Sequence, residues 1–394
     1  MKVLFCYSGP IFLDQIGQLF GTHLTDDIFQ RYFLLGEELV LAVSVEKIQD
    51  SKSQNKFTKI SSSPIQLVEL SKLNTFRKML FEKSEAKKKL EEAIQQADLV
   101  IIRLPCMLGN MAVDIAEKLK KPFLLEIVGC PWDSYRYHSL KGKLIAPLAY
   151  FAMYRRVLHA PFSMYVTEEF LQKRYPTKGI HCGCSDVHLE VVNESILVSR
   201  IEKINKRKFN ERLIIGTIGA TNVKYKGQQY IIKALSKLRA DGVEDYKYLV
   251  IGPGNTGYLT KIAQKYNVSD LVEFVGVIPH NEIFKILDKI DIYAQPSRTE
   301  GLPRALIEAM SRGVPSFGCR VGGMPELLES KMLFSKSHNC VKEICLILKS
   351  LTKDLMIHQA RRNYLFSQNY QHDLLDNKRN QFLLDFKNSF LLKK

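Results

Sequence analysis

The second half of the chain alternates short apolar runs with segments of helical periodicity, and this alternation limits the fold more than any other feature. Strands alternating with helices at this spacing predict right-handed βαβ units and a parallel, doubly wound α/β sheet. Ligands of such sheets bind at the carboxyl ends of the strands. The predicted strands are 213–218, 248–252, 273–276, 291–294 and 314–318, and the predicted helices are 228–238, 259–266, 282–290 and 303–311.

The first half carries the same alternation less clearly. Its predicted strands are 3–7, 39–45, 99–104 and 122–128, with a turn at 8–10 and a charged helix at 82–96. At 394 residues the chain is too long for one ordinary core, so we expect two Rossmann-like doubly wound domains facing each other across a cleft. We place them at 1–200 and 201–360, with a linker at 193–208. A helical segment, 361–394, is expected to cross back to the first domain.

The cysteines and the apolar runs of the sequence indicate which cellular compartment the protein occupies. Most of the eight cysteines lie in apolar runs, which is typical of small buried side chains in a reducing compartment. The apolar run after Met1 is too short for a signal peptide, and no apolar stretch approaches the ~18 residues of a membrane span. We therefore expect a cytoplasmic protein, either free or peripheral on the inner face of the cell membrane.

The net charge of +16 favours an anionic partner. No zinc finger, RNP stretch or basic heptad helix is present, so nucleic acid is the least favoured partner. Phosphate ligands and an anionic membrane surface are better interpretations, and a solvated basic surface is the plain alternative.

Glu300 and Glu308 flank a predicted strand-to-helix turn. Pro303 suits the first helical position, so the amides of Gly301 and Leu302 lie at the helix entrance, where N–H groups and the helix dipole favour anions. Carboxylates accept paired hydrogen bonds, so this pair suits sugar and ribose hydroxyls around a diphosphate. An ordinary amphipathic helix with two solvated glutamates explains the spacing equally well.

Lys226 follows another predicted strand and lies at the entrance of the next helix. A cation beside free amides is well placed for a pyrophosphate, and Lys224 is a candidate second cation. A lone lysine at a helix start is usually only solvated, so its weight depends on its neighbours.

Two further patterns allow other interpretations. Residues 252–257 read G-x-G-x-x-G, but Glu273 precedes the end of the next strand, where a dinucleotide-binding acid belongs, which argues against a dehydrogenase. His181, Cys182, Cys184 and His188 lack the paired spacing of structural zinc, so incidental cysteines are favoured. We expect no metal and no cofactor.

The run 300–310, Glu-Gly-Leu-Pro-x-x-x-Ile-Glu-Ala-Met, continues through 313–315 and 322–326 and resembles the signature of glycosyltransferase family 4. The resemblance covers roughly residues 210 to 330 and implies a retaining enzyme of the two-domain GT-B fold. It implies that Glu300 meets donor-sugar hydroxyls, that Glu308 binds the ribose, and that Lys226 matches the Lys-Gly of the family. It also implies donor-side positions at Gly301, Leu302, Gly252 and Gly254. Pro303 at the helix start and Lys224 as a second cation are further donor-side candidates.

The chain departs from the family pattern at several positions. Thr221 stands where the family usually has arginine, and Val128 stands where it typically has histidine. Asp133 or, less favoured, His138 is a candidate for that polar role, with Asp133 also a candidate catalytic residue. The glycine-rich N-terminal loop is reduced to Gly9, Gly17 and Gly21, which makes Gly9 a weak acceptor-side candidate.

The segment 136–159 contains five basic residues and no acidic one. Within it lies an apolar run, 144–153, flanked by basic residues. Such a segment can dock on an anionic membrane, where lipid-linked acceptors reside. A buried helix with cationic ends explains it about as well.

Together these features predict a metal-independent glycosyltransferase that moves a hexose-type sugar from a UDP- or GDP-sugar donor to a glycan or lipid-linked acceptor. The resemblance implies assembly of a bacterial surface polysaccharide such as capsule or lipopolysaccharide. The alternatives are a sugar-nucleotide epimerase of the same architecture and a non-catalytic nucleotide- or glycan-binding protein.

Overall fold

The computed structural model describes the chain except residues 23, 49–56, 63, 74–80, 188, 192, 209–210, 280–281 and 393–394. It divides into two compact units, each with its own sheet. The first unit comprises Met1–Trp132, Leu144–Cys184 and Asp376–Lys394, and the second comprises Asp133–Lys143 and Ser185–Leu375.

The sheet of the first unit is parallel along the order β5-β3-β1-β6-β7-β8-β9. Two short strands add to it in antiparallel fashion, β2 on the end of β1 and β4 on β2. The strands are β1 (Lys2–Leu13), β2 (Leu19–Gly21), β3 (Glu38–Lys47), β4 (Thr58–Lys59), β5 (Ile65–Leu70), β6 (Leu99–Leu104), β7 (Phe123–Ile127), β8 (Phe162–Tyr165) and β9 (Ile180–Gly183).

Helix α2 (Lys83–Gln96) packs on this sheet through an apolar face at helical spacing. Leu90 and Ile94 of α2 are buried one turn apart in the core that also contains Ile102 and Leu125 of the sheet. The helices up to residue 174 are α1 (Asp26–Phe29), α2 (Lys83–Gln96), α3 (Met107–Lys118), α4 (Pro131–His138), α5 (Leu140–His159) and α6 (Phe170–Arg174), with a 3₁₀ helix at Gln30–Leu34.

The sheet of the second unit is parallel throughout, in the order β12-β11-β10-β13-β14-β15. This confirms the predicted parallel sheet, and its order is that of a Rossmann sheet, which reverses between β10 and β13. The strands are β10 (Leu213–Ile218), β11 (Tyr246–Ile251), β12 (Val272–Gly276), β13 (Ile292–Gln295), β14 (Ser316–Cys319) and β15 (Leu333–Phe334).

The four helices predicted between these strands are present, with ends shifted by a few residues. The helices from residue 195 onward are α7 (Ser195–Lys206), α8 (Gln228–Ala240), α9 (Gly257–Lys265), α10 (Ile283–Lys289), α11 (Arg304–Ser311), α12 (Met324–Leu327), α13 (Cys340–Lys349), α14 (Lys353–Ser367) and α15 (His372–Leu391). Short 3₁₀ helices lie at Lys224–Lys226, Ser269–Leu271, Ser330–Met332 and Gln368–Tyr370.

The last helix joins the first unit through aromatic side chains. Its residues from Asp376 onward belong to that unit. The ring of Phe162 in β8 lies 5.7 Å from the ring of Phe382, 5.3 Å from that of Phe386 and 6.2 Å from that of Phe390. These three phenylalanines recur every four residues, so they share one face of α15.

Two local predictions are wrong. The predicted turn at 8–10 is part of β1, which continues to Leu13 because an irregularity between Cys6 and Pro10 accommodates Gly9 and Pro10 in the ladder with β3. The predicted linker forms helix α7, whose Arg200 is buried and donates to the carbonyls of Leu287, Ile290 and Arg312.

Among the described residues, no helix is both long enough and apolar enough to cross a bilayer.

Candidate active site

Lys226 and Glu300 meet beside the point where the strand order of the second sheet reverses. Lys226 ends the 3₁₀ helix in the segment after β10, and Glu300 lies in the turn after β13. Lys226 Nζ lies 2.8 Å from Glu300 Oε1, with 24% and 13% of the two side chains exposed. The reversal point of an open parallel sheet is where its ligands bind, so both charges occupy the expected ligand edge.

A chain of buried hydrogen bonds orients Glu300. Gln295 Nε2 donates to Glu300 Oε1 at 3.0 Å and to Ser297 Oγ at 3.1 Å. Gln295 Oε1 in turn accepts from the hydroxyl of Tyr293 at 2.8 Å. Lys226 and Gln295 therefore hold one carboxylate oxygen of Glu300 in place from two directions.

Tyr293 is the buried end of this chain of hydrogen bonds. It is fully buried, and burial raises the pKa of its hydroxyl well above the ordinary value of 10.0, with the negative charges of Glu308 and Glu300 adding to the rise. The hydroxyl therefore stays protonated and acts as a donor. Glu308 lies on α11 and is half-buried, and its role as the second carboxylate of the site stays a prediction.

The turn between the glutamates differs from the prediction by one position. Pro303 has extended backbone angles, φ −76° and ψ 105°, and caps the helix that begins at Arg304, so it is not the first helical residue. Gly301 and Leu302 consequently lie in the turn before the cap. The N–H groups of the first helical turn lack intrahelical acceptors and, together with the dipole, favour an anion.

Gly322, which belongs to the part of the motif after α11, packs against the turn that contains Glu300. Its φ is +54°, and a Cβ there would lie 1.9 Å from the carbonyl oxygen of Glu300. Gly323 N donates to the carbonyl of Gly301 at 2.7 Å. Only a residue without a side chain allows this close approach, which fixes the backbone of the Glu300 turn.

Gly252 and Gly254 bring the segment after β11 against the segment after β10. Gly252 has φ +140°, and a Cβ there would lie 2.4 Å from the carbonyl of Gly219; Gly254 has φ +115°, and its Cβ would lie 2.5 Å from Asn222 Oδ1. These glycines are needed for close packing of two loops at the ligand edge. Their donor-side role stays a prediction.

The other cation candidate is placed differently from Lys226. Lys224 is exposed, and its Nζ lies 4.8 Å from the ring centre of Tyr258.

Thr221 is buried, and both its N–H and its hydroxyl donate to the carbonyl of Pro253, at 2.8 and 3.2 Å. A neutral threonine therefore occupies the position of the family arginine.

The acceptor-side candidates lie on different elements of the chain. Gly9 lies inside β1, and Asp133 is buried in the first turn of α4. His138 ends α4, and its side chain lies outside the described residues. Val128 follows β7, where its N–H donates to the carbonyl of Leu104 at 2.9 Å.

Sequence reasoning missed a buried polar cluster of the first unit. Arg103 of β6 and Glu126 of β7 are register partners with Arg103 Nη1 3.6 Å from Glu126 Oε2, and the hydroxyl of Tyr32 donates to Glu126 Oε1 at 2.7 Å. The Arg103 guanidinium also lies 5.9 Å from the ring centre of Tyr7 in β1. Arg103 is the only charged residue of β6, and Glu126 is the only charged residue of β7. A single charge in an otherwise apolar strand is the sequence signal that could have identified this pair.

The cysteine and histidine group near 181–188 is only partly described. His181 and Cys182 lie in β9, and His188 lies outside the described residues. Within the described ranges, no cluster of three or more histidine, cysteine, aspartate or glutamate side chains is arranged to hold a metal ion.

Comparison with known proteins places these features in a family. Residues 199–361 match the model of the glycosyl transferases group 1. Protein CapJ of Staphylococcus aureus is 28% identical over 386 residues, which covers 96% of this chain and 90% of CapJ. The putative colanic acid biosynthesis glycosyltransferase WcaL of Salmonella typhimurium is 38% identical over 112 residues, 27% of each chain.

Solved structures agree on the fold. Sucrose-phosphate synthase from Thermosynechococcus elongatus superposes with a TM-score of 0.68 at 15% identity, covering 99% of this chain and 100% of that one. Anabaena HepE, solved in complex with UDP, gives a TM-score of 0.64 at 15% identity with the same coverage. Residues 199–361 therefore belong to the glycosyl transferases group 1 family, and the chain is a glycosyltransferase with the GT-B fold.

Proposed function

We propose that the chain transfers a hexose-type sugar from a nucleoside diphosphate sugar to a glycan or lipid-linked acceptor, with retention of configuration and without a metal or organic cofactor. The observation that carries this proposal is the 2.8 Å contact between Lys226 Nζ and Glu300 Oε1 at the ligand edge of the second sheet. A cation and a carboxylate this close can contact adjacent parts of one ligand, a diphosphate and the sugar attached to it.

Each group has a role that follows from its charge. Glu300, oriented by Gln295, accepts hydrogen bonds from sugar hydroxyls, and Glu308 accepts them from the ribose. Lys226 and the amides at the start of α11 stabilise the negative charge that grows on the leaving diphosphate. Because Lys226 supplies the cation, the departure of the diphosphate needs no metal ion.

Retention follows from attack on the face that the diphosphate leaves. In this scheme the acceptor oxygen bonds to the anomeric carbon as the bond to the diphosphate oxygen breaks. The departing phosphate takes the acceptor proton. A protein base is then not essential, which is compatible with Val128 at the position of the family histidine and leaves Asp133 as the acceptor-side candidate.

The relatives support the choice of donor and product. Structures of Anabaena HepE contain UDP, UDP with glucose, and UDP-glucose, which favours a UDP-sugar over a GDP-sugar. WcaL is a putative colanic acid biosynthesis enzyme, and a structural neighbour is a lipopolysaccharide outer core galactosyltransferase, WaaB. We therefore propose a bacterial surface polysaccharide as the product.

The donor is tested by thermal unfolding with UDP, GDP, ADP and their sugar derivatives in buffer containing EDTA. A ligand at 100 times its Kd stabilises the folded state by about 2.7 kcal/mol, so a true donor raises the melting temperature clearly. We expect stabilisation by UDP-sugars that Lys226→Met abolishes and that Lys285→Met preserves, since Lys285 forms an exposed pair with Glu282 elsewhere in the same unit. Absence of stabilisation by any nucleotide, or the same stabilisation of Lys226→Met, would contradict the proposal.

A further inference from the structure

Helix α5 presents a stripe of apolar side chains to solvent. Leu144, Leu148 and Phe151 are 80%, 73% and 65% exposed, and Leu140, one turn before them, is 79% exposed. Their spacing of three or four residues places them on one face of the helix. We call these four residues the α5 stripe.

The opposite face of the same helix is already packed. Ala146, Met153 and Val157 are buried, and the ring of Tyr150 lies 6.0 Å from that of Trp132 and 5.3 Å from that of Tyr175. The core therefore uses one apolar face of α5 and leaves a second apolar face outside. A buried helix, the alternative left open by the sequence, does not account for the α5 stripe.

Basic residues stand at both ends of the α5 stripe. Lys141 and Lys143 lie in the first turn of α5 and Arg155 lies just before the last turn, and all three are exposed. At about 100° per residue, Lys141 and Arg155 fall within the same roughly 100° arc as the four apolar residues. Residues 136–159 contain no acidic residue that could neutralise these charges.

We propose that the α5 stripe docks on an anionic lipid bilayer, with α5 lying in the plane of the interface. Single exposed leucines are common on soluble proteins, but a contiguous apolar stripe marks an interaction surface. An apolar helix face with cationic residues at its ends matches the acyl boundary and the anionic headgroups of one leaflet. Docking here would hold the enzyme at the surface that carries lipid-linked acceptors.

The charges argue against a second copy of the chain as the occupant. Two α5 helices that pack antiparallel bring the Lys141 end of one copy to the Arg155 end of the other, and parallel packing brings like ends together. Both arrangements place cations beside cations, with no acidic residue on the helix to separate them. An anionic lipid surface has no such conflict.

Vesicle sedimentation of the full chain tests the proposal, with phosphatidylglycerol–phosphatidylcholine vesicles compared with pure phosphatidylcholine at low salt. We expect binding to the anionic vesicles, at least tenfold weaker binding to the neutral ones, and a clear loss in 0.5 M salt because charges are screened (a Debye length of about 4 Å). The variant Leu144→Ser/Leu148→Ser/Phe151→Ser should bind at least tenfold more weakly. Leu346→Ser, which removes a single exposed leucine of α13, should bind as the wild type does.

A second variant distinguishes a loss of membrane binding from a loss of folding. Lys141→Glu/Arg155→Glu keeps every apolar side chain and should lose binding to anionic vesicles while its thermal unfolding stays unchanged. Failure of the wild-type protein to bind anionic vesicles at low salt would overturn the proposal, as would unchanged binding by both variants. A wild-type dimer that the triple serine variant dissociates, without vesicle binding, would also overturn it, in favour of a second copy.

Discussion

The ammonium of Lys226 and the carboxylate of Glu300 lie 2.8 Å apart although 74 positions separate them in the chain. They follow β10 and β13, which pair directly at the reversal point of the second sheet. The fold thus brings a cation for a diphosphate and an acceptor for sugar hydroxyls to one point. The sequence motif alone specifies only the carboxylate.

Gln295 is predicted to act as a positioning residue for Glu300. Gln295→Leu removes the donor to Glu300 Oε1 and the acceptor of the Tyr293 hydroxyl, so Glu300 loses its fixed orientation. We expect kcat to fall about tenfold, equivalent to ~1.4 kcal/mol, with a smaller change in the donor KM. Steady-state kinetics measures kcat and the donor KM separately. The control is Gln359→Leu, which removes a buried glutamine of α14 that donates to Glu329. A donor KM that rises while kcat stays constant would refute the positioning role.

Glu308 is predicted to bind the ribose. Glu308→Gln removes a charged acceptor, and hydrogen bonds to charged groups contribute roughly 1.5–3 kcal/mol, so UDP affinity should fall at least tenfold. Titration calorimetry with UDP and with 2′,3′-dideoxy-UDP isolates the contact, because the substitution should matter only when ribose hydroxyls are present. Equal losses for both nucleotides would place Glu308 away from the ribose.

The second sheet and the ligand edge could be predicted because buried parallel strands are continuous apolar runs and their carboxyl ends share one edge. The same reasoning places Lys226 and Glu300 at one edge of the sheet, since each follows a predicted strand. The Arg103–Glu126 pair could not be predicted in the same way, because its contact depends on the register of β6 against β7. Gly9 was misplaced because an irregularity lets β1 continue through a glycine and a proline that usually end a strand.

Arg200 is predicted to be a major stabilising residue of the second unit. Its guanidinium donates to three carbonyls, those of Leu287, Ile290 and Arg312, near the carboxyl ends of α10 and α11. Arg200→Leu leaves these carbonyls without their donor, which should cost about 3 kcal/mol of unfolding free energy. Urea denaturation measures the loss, and Lys206→Met in the same helix, which breaks only an exposed pair with Glu202, should change stability by less than about 0.5 kcal/mol.

Glu343 should make stability depend on pH in the acid range. The N–H and the hydroxyl of Ser335 donate to its carboxylate and lower its pKa from the ordinary 4.5. Because the folded pKa is the lower one, the stabilisation is present above the unfolded pKa and is lost as pH falls through the folded pKa. Since the carboxylate is partly exposed, we expect Glu343→Gln to cost only about 1 kcal/mol at pH 7. Unfolding curves of variant and wild type should converge as the pH falls below 4.5, and a constant difference would contradict this account.

Transfer centred on Glu300 and Lys226 is tested by turnover of UDP-sugars by the wild-type protein and by Glu300→Gln, in buffer with EDTA and with bacterial lipid-linked oligosaccharides as acceptors. We expect the wild-type protein to release UDP and form a glycoside that retains the donor's anomeric configuration. Glu300→Gln should still bind UDP but turn over about 100-fold more slowly, because its amide cannot accept the same paired hydrogen bonds from the sugar. Turnover by Glu300→Gln within twofold of the wild type, or a wild-type activity that EDTA abolishes and a divalent metal restores, would contradict a metal-independent transfer centred on Glu300 and Lys226.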